Sequence, residues 1–120
     1  MDEIDFESDK FEDILAKDAR YNPRAYALLM DVLNFLFEDK NRHVDAEEIL
    51  DEFRERTLDQ YGPMSYAVLA EWGVGRCEDI GEMMFNLVES RRIRKSDEDS
   101  YESFVGGYDF HEAFEGPYAV

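Results

Sequence analysis

The sequence predicts a mainly helical α+β fold: about five helices followed by a C-terminal β-hairpin, winged-helix-like over residues 45–110. Three observations carry this reading. Apolar residues recur at helical spacing in two blocks, residues 26–37 and 78–90. Helix-start signals at Asn22-Pro23, "VDAEEI" and Gly62-Pro63 punctuate the stretch between them. After residue 90 the character changes to "RRIRKS", "DEDSYE" and "SFVGGYDF", which reads as strand, acidic turn and strand.

Phe6, Phe11, Ile14 and Leu15 among acids predict a short amphipathic helix over residues 6–18, peripheral within an N-terminal segment 1–20. Asn22 is placed to cap the second helix, with Pro23 at its first position. Tyr26, Leu29, Met30, Leu33, Leu36 and Phe37 then share one face, and Leu28, Val32 and Phe35 widen it. A helix apolar on most sides is a central one. After the polar loop "EDKNRH", Asp45 and Glu48 form a capping-box pair, with Val44 and Ile49 as the flanking apolar staple. This third helix runs through Leu50, Phe53 and Thr57 to Tyr61. Gly62-Pro63 ends it and opens a fourth, from Met64 to Trp72. "WGVGR" is a turn, and residues 78–90 form a fifth helix with Ile80, Met83, Met84, Leu87 and Val88 on one side. The aromatic residues Phe110, Phe114 and Tyr118 pack back on the body.

One short pattern occurs twice, "YNPRAYALL" at residues 21–29 and "YGPMSYAVL" at 61–69. Beyond the first turns the two copies part, whereas a duplicated module stays similar over its period. Both read as helix starts in which the tyrosine before the cap packs on the tyrosine of the second turn. That predicts contacts of Tyr21 with Tyr26 and of Tyr61 with Tyr66.

The 120 residues suit one domain spanning 1–120, and 44% hydrophobic residues are enough for a core without covalent staples. A single cysteine points to a reducing compartment. The opening "MDEIDFESDKFEDIL" is acidic and interrupted, unlike a secretory or transit peptide, and no apolar run reaches the roughly 18–20 residues of a membrane span. The expectation is a cytoplasmic protein with no membrane partner. The net charge is −17, with −10 in residues 1–60 (8 basic, 18 acidic) and −7 in residues 61–120 (5 basic, 12 acidic). A field of that sign disfavours nucleic acid and anionic lipid and draws basic partners inward, and it also keeps a small protein soluble.

In a winged helix, residues 78–90 would enter the groove of DNA. Their outward positions, Glu78, Asp79, Glu82, Asn86 and Glu89, carry no Arg or Lys, which makes nucleic acid an unfavourable partner. The counter-argument is Arg91, Arg92, Arg94 and Lys95 at the start of the hairpin. Phe85 falls off the apolar face, beside Glu78 and Glu89. Either the hairpin or the aromatic tail covers it, or it stands exposed as an aromatic anchor framed by acids.

Cys77 follows Arg76 at a helix start, where a thiolate is favoured, but Glu78 and Asp79 oppose that and buried packing is the alternative. His43 and His111 each lie near carboxylates without a second histidine at metal-ligand spacing. "GVGRCEDIGE" lacks the lysine and the preceding strand of a phosphate-binding loop. No cofactor and no metal is expected.

"WGVGRCEDIGE", "FNLVE" and "GGYDF", with "DARYNPRAY" and "YGPMSYAVL" before them, resemble a small bacterial family of uncharacterised proteins. The resemblance covers most of the chain. It implies a cytosolic protein of one domain and implies no catalytic role, substrate or cofactor. The leading functional expectation is therefore a non-enzymatic, acidic protein-interaction module that meets a basic partner through Phe85, Glu78, Glu82 and Glu89. The alternative is a winged-helix DNA-associated regulator using Arg91, Arg92, Arg94 and Lys95. A third class is an enzyme or metal site around Cys77 and His111.

Overall fold

The computed structural model describes residues 10–38, 44–93 and 101–119, with the side chains of residues 101 and 102 left aside. The expected Phe6, His43, Arg94 and Lys95 lie outside the described residues, as do residues 97–100 of the expected acidic turn. Among the described residues every regular element is helical. The elements are α1 (Glu12–Lys17), α2 (Pro23–Leu36), α3 (Ala46–Tyr61), α4 (Ser65–Glu71), α5 (Cys77–Glu89) and α6 (Phe110–Phe114). Short 3₁₀ turns occupy Gly62–Met64, Tyr101–Phe104 and Gly116–Tyr118.

A helix forms in each of the five expected stretches, although the first is seen only from Glu12 of the expected 6–18 and the fourth begins at Ser65, after a 3₁₀ turn. Asn22 accepts from the Arg24 amide at 2.9 Å and Pro23 opens α2. Asp45 accepts from the Glu48 amide at 3.0 Å while Glu48 accepts from the Asp45 amide at 3.3 Å, so two otherwise unpaired donors are satisfied reciprocally. Val44 and Ile49 are both buried beside this cap. α2 is the central helix: Tyr26, Leu29, Val32 and Leu33 are inaccessible to solvent or nearly so. It lies along α3, whose Ile49 and Phe53 face it, and Leu69, Ile80, Met83 and Leu87 from α4 and α5 complete one continuous core. Phe37, expected on the apolar face, is 42% exposed, and Phe35 departs further from expectation. It stands half exposed, with the Arg56 guanidinium 5.3 Å above its ring.

The C-terminal β-hairpin, and with it the winged-helix-like reading of residues 45–110, is overturned. No strand is present among the described residues. At the end of α5 the Arg91 amide donates to the Val88 carbonyl and the Arg92 amide to that of Leu87, with Arg91 at φ 66°. This left-handed helix ending takes up both donors where the first strand was to begin. The second stretch curls into the 3₁₀ turn Tyr101–Phe104, because Phe104 is drawn into the core against Gly81. A Cβ at Gly81 would sit only 3.1 Å from that of Phe104. Gly107 packs equally close, and a Cβ there would lie 2.7 Å from the Cys77 sulfur. Asp109 then caps α6 by accepting from the Glu112 amide at 2.9 Å. Phe110 and Phe114 stack edge-on at 4.9 Å, with Tyr108 against both; the two phenylalanines pack back on the body as expected, whereas Tyr118 stands 43% exposed.

The twice-used pattern adopts two conformations. Tyr21 and Tyr26 meet edge to face at 6.3 Å. Tyr61 instead meets Trp72 at 5.6 Å, and Tyr66 meets His111 at 5.4 Å. Gly62 is not a helix cap in the manner of Asn22; at φ 51° it ends α3 and leads into a 3₁₀ turn. The corner is held by Ser65, fully buried, whose hydroxyl donates to the Gly62 carbonyl at 2.7 Å and lies 3.2 Å from that of Thr57.

Candidate functional site

The outer side of α5 is where the sequence placed its contact residues. Most of its polar positions turn out to bind the chain itself. Glu78 accepts from the Gly106 amide at 3.1 Å. Asp79 accepts from the Tyr21 hydroxyl at 2.7 Å and the Gly75 amide at 2.9 Å. Glu82 meets Arg20 at 3.3 Å. Asn86 donates to the Asp18 carboxylate and to the Tyr26 hydroxyl, both at 3.0 Å.

These bonds form a polar seam that fastens the α1–α2 connection to α5. Its centre is Asp18, whose two oxygens also take the Arg20 guanidinium at 2.9 and 2.7 Å. The Arg20 hydrogen bonds hold the Asp18 carboxyl well below the usual carboxylate range, against the opposing effect of burial. Burial pushes the Tyr21 hydroxyl up, and its bond to Asp79 pushes the same way. Burial also raises Tyr26, with the Asn86 bond in opposition. Asp18 and Arg20 were not singled out in the sequence. They sit in a short polar loop whose partners lie some sixty residues away.

Phe85 and Glu89 differ from these neighbours. Phe85 is 57% exposed, and among the described residues neither the C-terminal aromatics nor a hairpin covers it. Glu82 lies three residues before it and Glu89 four after, the two spacings that make neighbours on a helix surface. Val105, 53% exposed, adjoins the amide that Glu78 binds, so a second apolar side chain stands at one end of this face. The surface offers a ring and carboxylates, a contact chemistry.

The remaining candidates are not brought together with it. Arg92 is spent internally: it grips Asp13 at 2.8 and 3.0 Å, donates to the Lys10 carbonyl, and stacks over Phe11 at 5.2 Å. Arg91 is exposed in the turn, and Arg94 and Lys95 lie outside the described residues. The winged-helix alternative therefore loses both its wing and one of its named cations.

Cys77 is buried, its sulfur accepting from the Tyr108 amide at 3.2 Å and lying 3.5 Å from the Tyr108 carbonyl. Burial pushes its thiol up, away from the thiolate. His111 is surface-exposed and pairs with Glu115 at 3.0 Å. Among the described residues no three metal-ligating side chains converge. An open groove between Arg24, Tyr61, Met64, Val68, Glu71 and Trp72 has an apolar floor formed by the Tyr61–Trp72 contact.

Compared with known proteins, the chain matches no family model, no curated protein and no solved structure. No helix among the described residues is long and apolar enough to cross a membrane.

Proposed function

We propose that the protein is a non-enzymatic interaction module of the cytoplasm that binds a basic protein partner through the outer face of α5. One observation carries the proposal: Phe85 stands exposed between Glu82 and Glu89 on a helix whose other large apolar residues are buried or partly buried. A large aromatic side chain that becomes desolvated on binding is the kind of residue that dominates interface energetics. The surrounding charge, −17 over the whole chain, accelerates the approach of a cationic surface and repels the phosphate backbone of DNA. The buried, protonated Cys77 suits a reducing compartment.

The test begins with proteins retained by the immobilised chain, followed by identification and purification of the specific one. Its affinity is then compared between wild type and Phe85→Glu, with circular dichroism showing the variant still folded. The expected loss is at least tenfold, about 1.4 kcal/mol or more. A purified partner that binds both forms equally, or no specifically retained protein at all, would refute the assignment of this face. Resemblance to a bacterial family of single-domain proteins belongs to the same proposal and adds no chemistry to it.

A further inference from the structure

The molecule shows how it treats an aromatic ring beside a carboxylate. Arg20 lies 5.1 Å over the Tyr21 ring and pairs with Asp18 at 2.7 Å. Arg56 lies 5.3 Å over Phe35 and pairs with Glu52 at 3.1 Å. Arg92 lies 5.2 Å over Phe11 and pairs with Asp13 at 2.8 Å. Three times the same trio occurs, ring, carboxylate and guanidinium, and among the described residues each cation stacked on a ring is an arginine. The physical reason is shared. A guanidinium is planar and weakly hydrated, so it can lie on a ring with its face while its edge donates to a carboxylate. An ammonium is a compact, strongly hydrated charge and gives up more to do the same.

The outer face of α5 has two parts of that trio. Phe85 supplies the ring, and Glu82 and Glu89 supply carboxylates one turn away on either side. Glu82 already shares Arg20 with Asp18 at the longer distance of 3.3 Å, against 2.7 Å to Asp18. Glu89 is exposed. Among the described residues no cation lies over Phe85. We propose, resting on the reading of this face as the docking surface, that the group it receives is an arginine side chain of the partner, stacked on Phe85 and paired with Glu89 or Glu82. The partner is then a protein segment presenting arginine next to apolar residues, the latter meeting Phe85 and Val105.

The experiment uses two synthetic peptides, acetyl-Leu-Arg-Leu-Arg-Leu-amide and its Lys counterpart, titrated into the isotopically labelled full chain in 150 mM salt. Resonances of the Phe85 ring and of the amides of residues 82–89 are followed. The arginine peptide is expected to shift them and to bind about twofold to threefold tighter than the lysine peptide, a fraction of the roughly twofold to fivefold that an exposed cation–π contact is worth in all. Phe85→Leu, which keeps an apolar side chain, is expected to abolish that preference with the melting temperature unchanged. Glu89→Gln is expected to weaken both peptides and to flatten their salt dependence. Equal affinities of the two peptides at Phe85 would overturn the arginine assignment and leave the docking face standing. Shifts that avoid residues 82–89 with both peptides would overturn the two together.

Discussion

Replacing Tyr21 with phenylalanine removes one oxygen and leaves the packing of the ring in place. The ring is 2% exposed, meets Tyr26 edge-on and lies under Arg20. The lost oxygen is the one that donates to Asp79 at 2.7 Å, joining the start of α2 to α5. Asp79 has a side chain only 14% exposed and keeps its second bond, from the Gly75 amide at 2.9 Å. A hydrogen bond to a charged acceptor is worth about 1.5–3 kcal/mol, and the remaining water access to Asp79 places this one near the lower end, at about 1.5–2 kcal/mol. For a chain of this length the unfolding entropy is about 0.25 kcal/mol per degree, so the midpoint should fall by roughly 6–8 °C. The assay is urea denaturation followed by circular dichroism, with calorimetry for the midpoint. An unchanged m-value shows that the folded and unfolded states keep their relative exposure. The same substitution made in an Asp79→Asn background should cost about 1 kcal/mol less, which isolates the pair. A loss below about 0.5 kcal/mol, with no coupling to Asp79, would refute the view that this bond anchors α5.

Tyr21, Tyr26 and Tyr108 are all raised by burial, so their folded forms hold protons that the unfolded chain releases above its tyrosine value of about 10. Stability should therefore be unaffected by these groups below pH 10 and fall as pH rises beyond it, and Tyr21→Phe should make that fall shallower. A Cβ at Gly107 would meet the Cys77 sulfur at 2.7 Å and Leu50 at 2.9 Å. Gly107→Ala should cost about 1–3 kcal/mol in urea denaturation, with part of the loss recovered by adding Cys77→Ala. Iodoacetamide should label Cys77 in the folded protein more slowly than a free small thiol at pH 7.5, and readily in urea. Labelling of the native form at the free-thiol rate would contradict its burial.

The helical half of the fold was legible because its signals are local. Asn22-Pro23, the Asp45–Glu48 pair and the apolar spacing of residues 26–37 and 78–90 each act within a few residues. The misreading after residue 90 has the opposite origin. Arg91 adopts a left-handed conformation that usually falls to glycine, and Phe104 is placed by Gly81, more than twenty residues away. Asp109 caps α6 through the Glu112 amide three residues on, a local helix-start signal that the strand reading of "SFVGGYDF" left unused. At the candidate site, helical geometry alone placed Phe85 off the apolar face and left its exposure open. The internal partners of Glu78, Asp79 and Glu82 were not legible, because Gly106, Tyr21 and Arg20 reach them from distant parts of the chain.

One bond gives this molecule a built-in reporter. The Asn22 amide belongs to no helical ladder and donates to the Trp72 carbonyl at 3.0 Å. Gly73, at φ 88°, lets this approach happen, since a Cβ there would fall 2.4 Å from the Arg20 carbonyl oxygen. The bond joins the N-cap of α2 to the C-cap of α4, so parting the two segments breaks it. Hydrogen–deuterium exchange at the single amide of Asn22 thus times the undocking of residues 20–22 from the turn after α4.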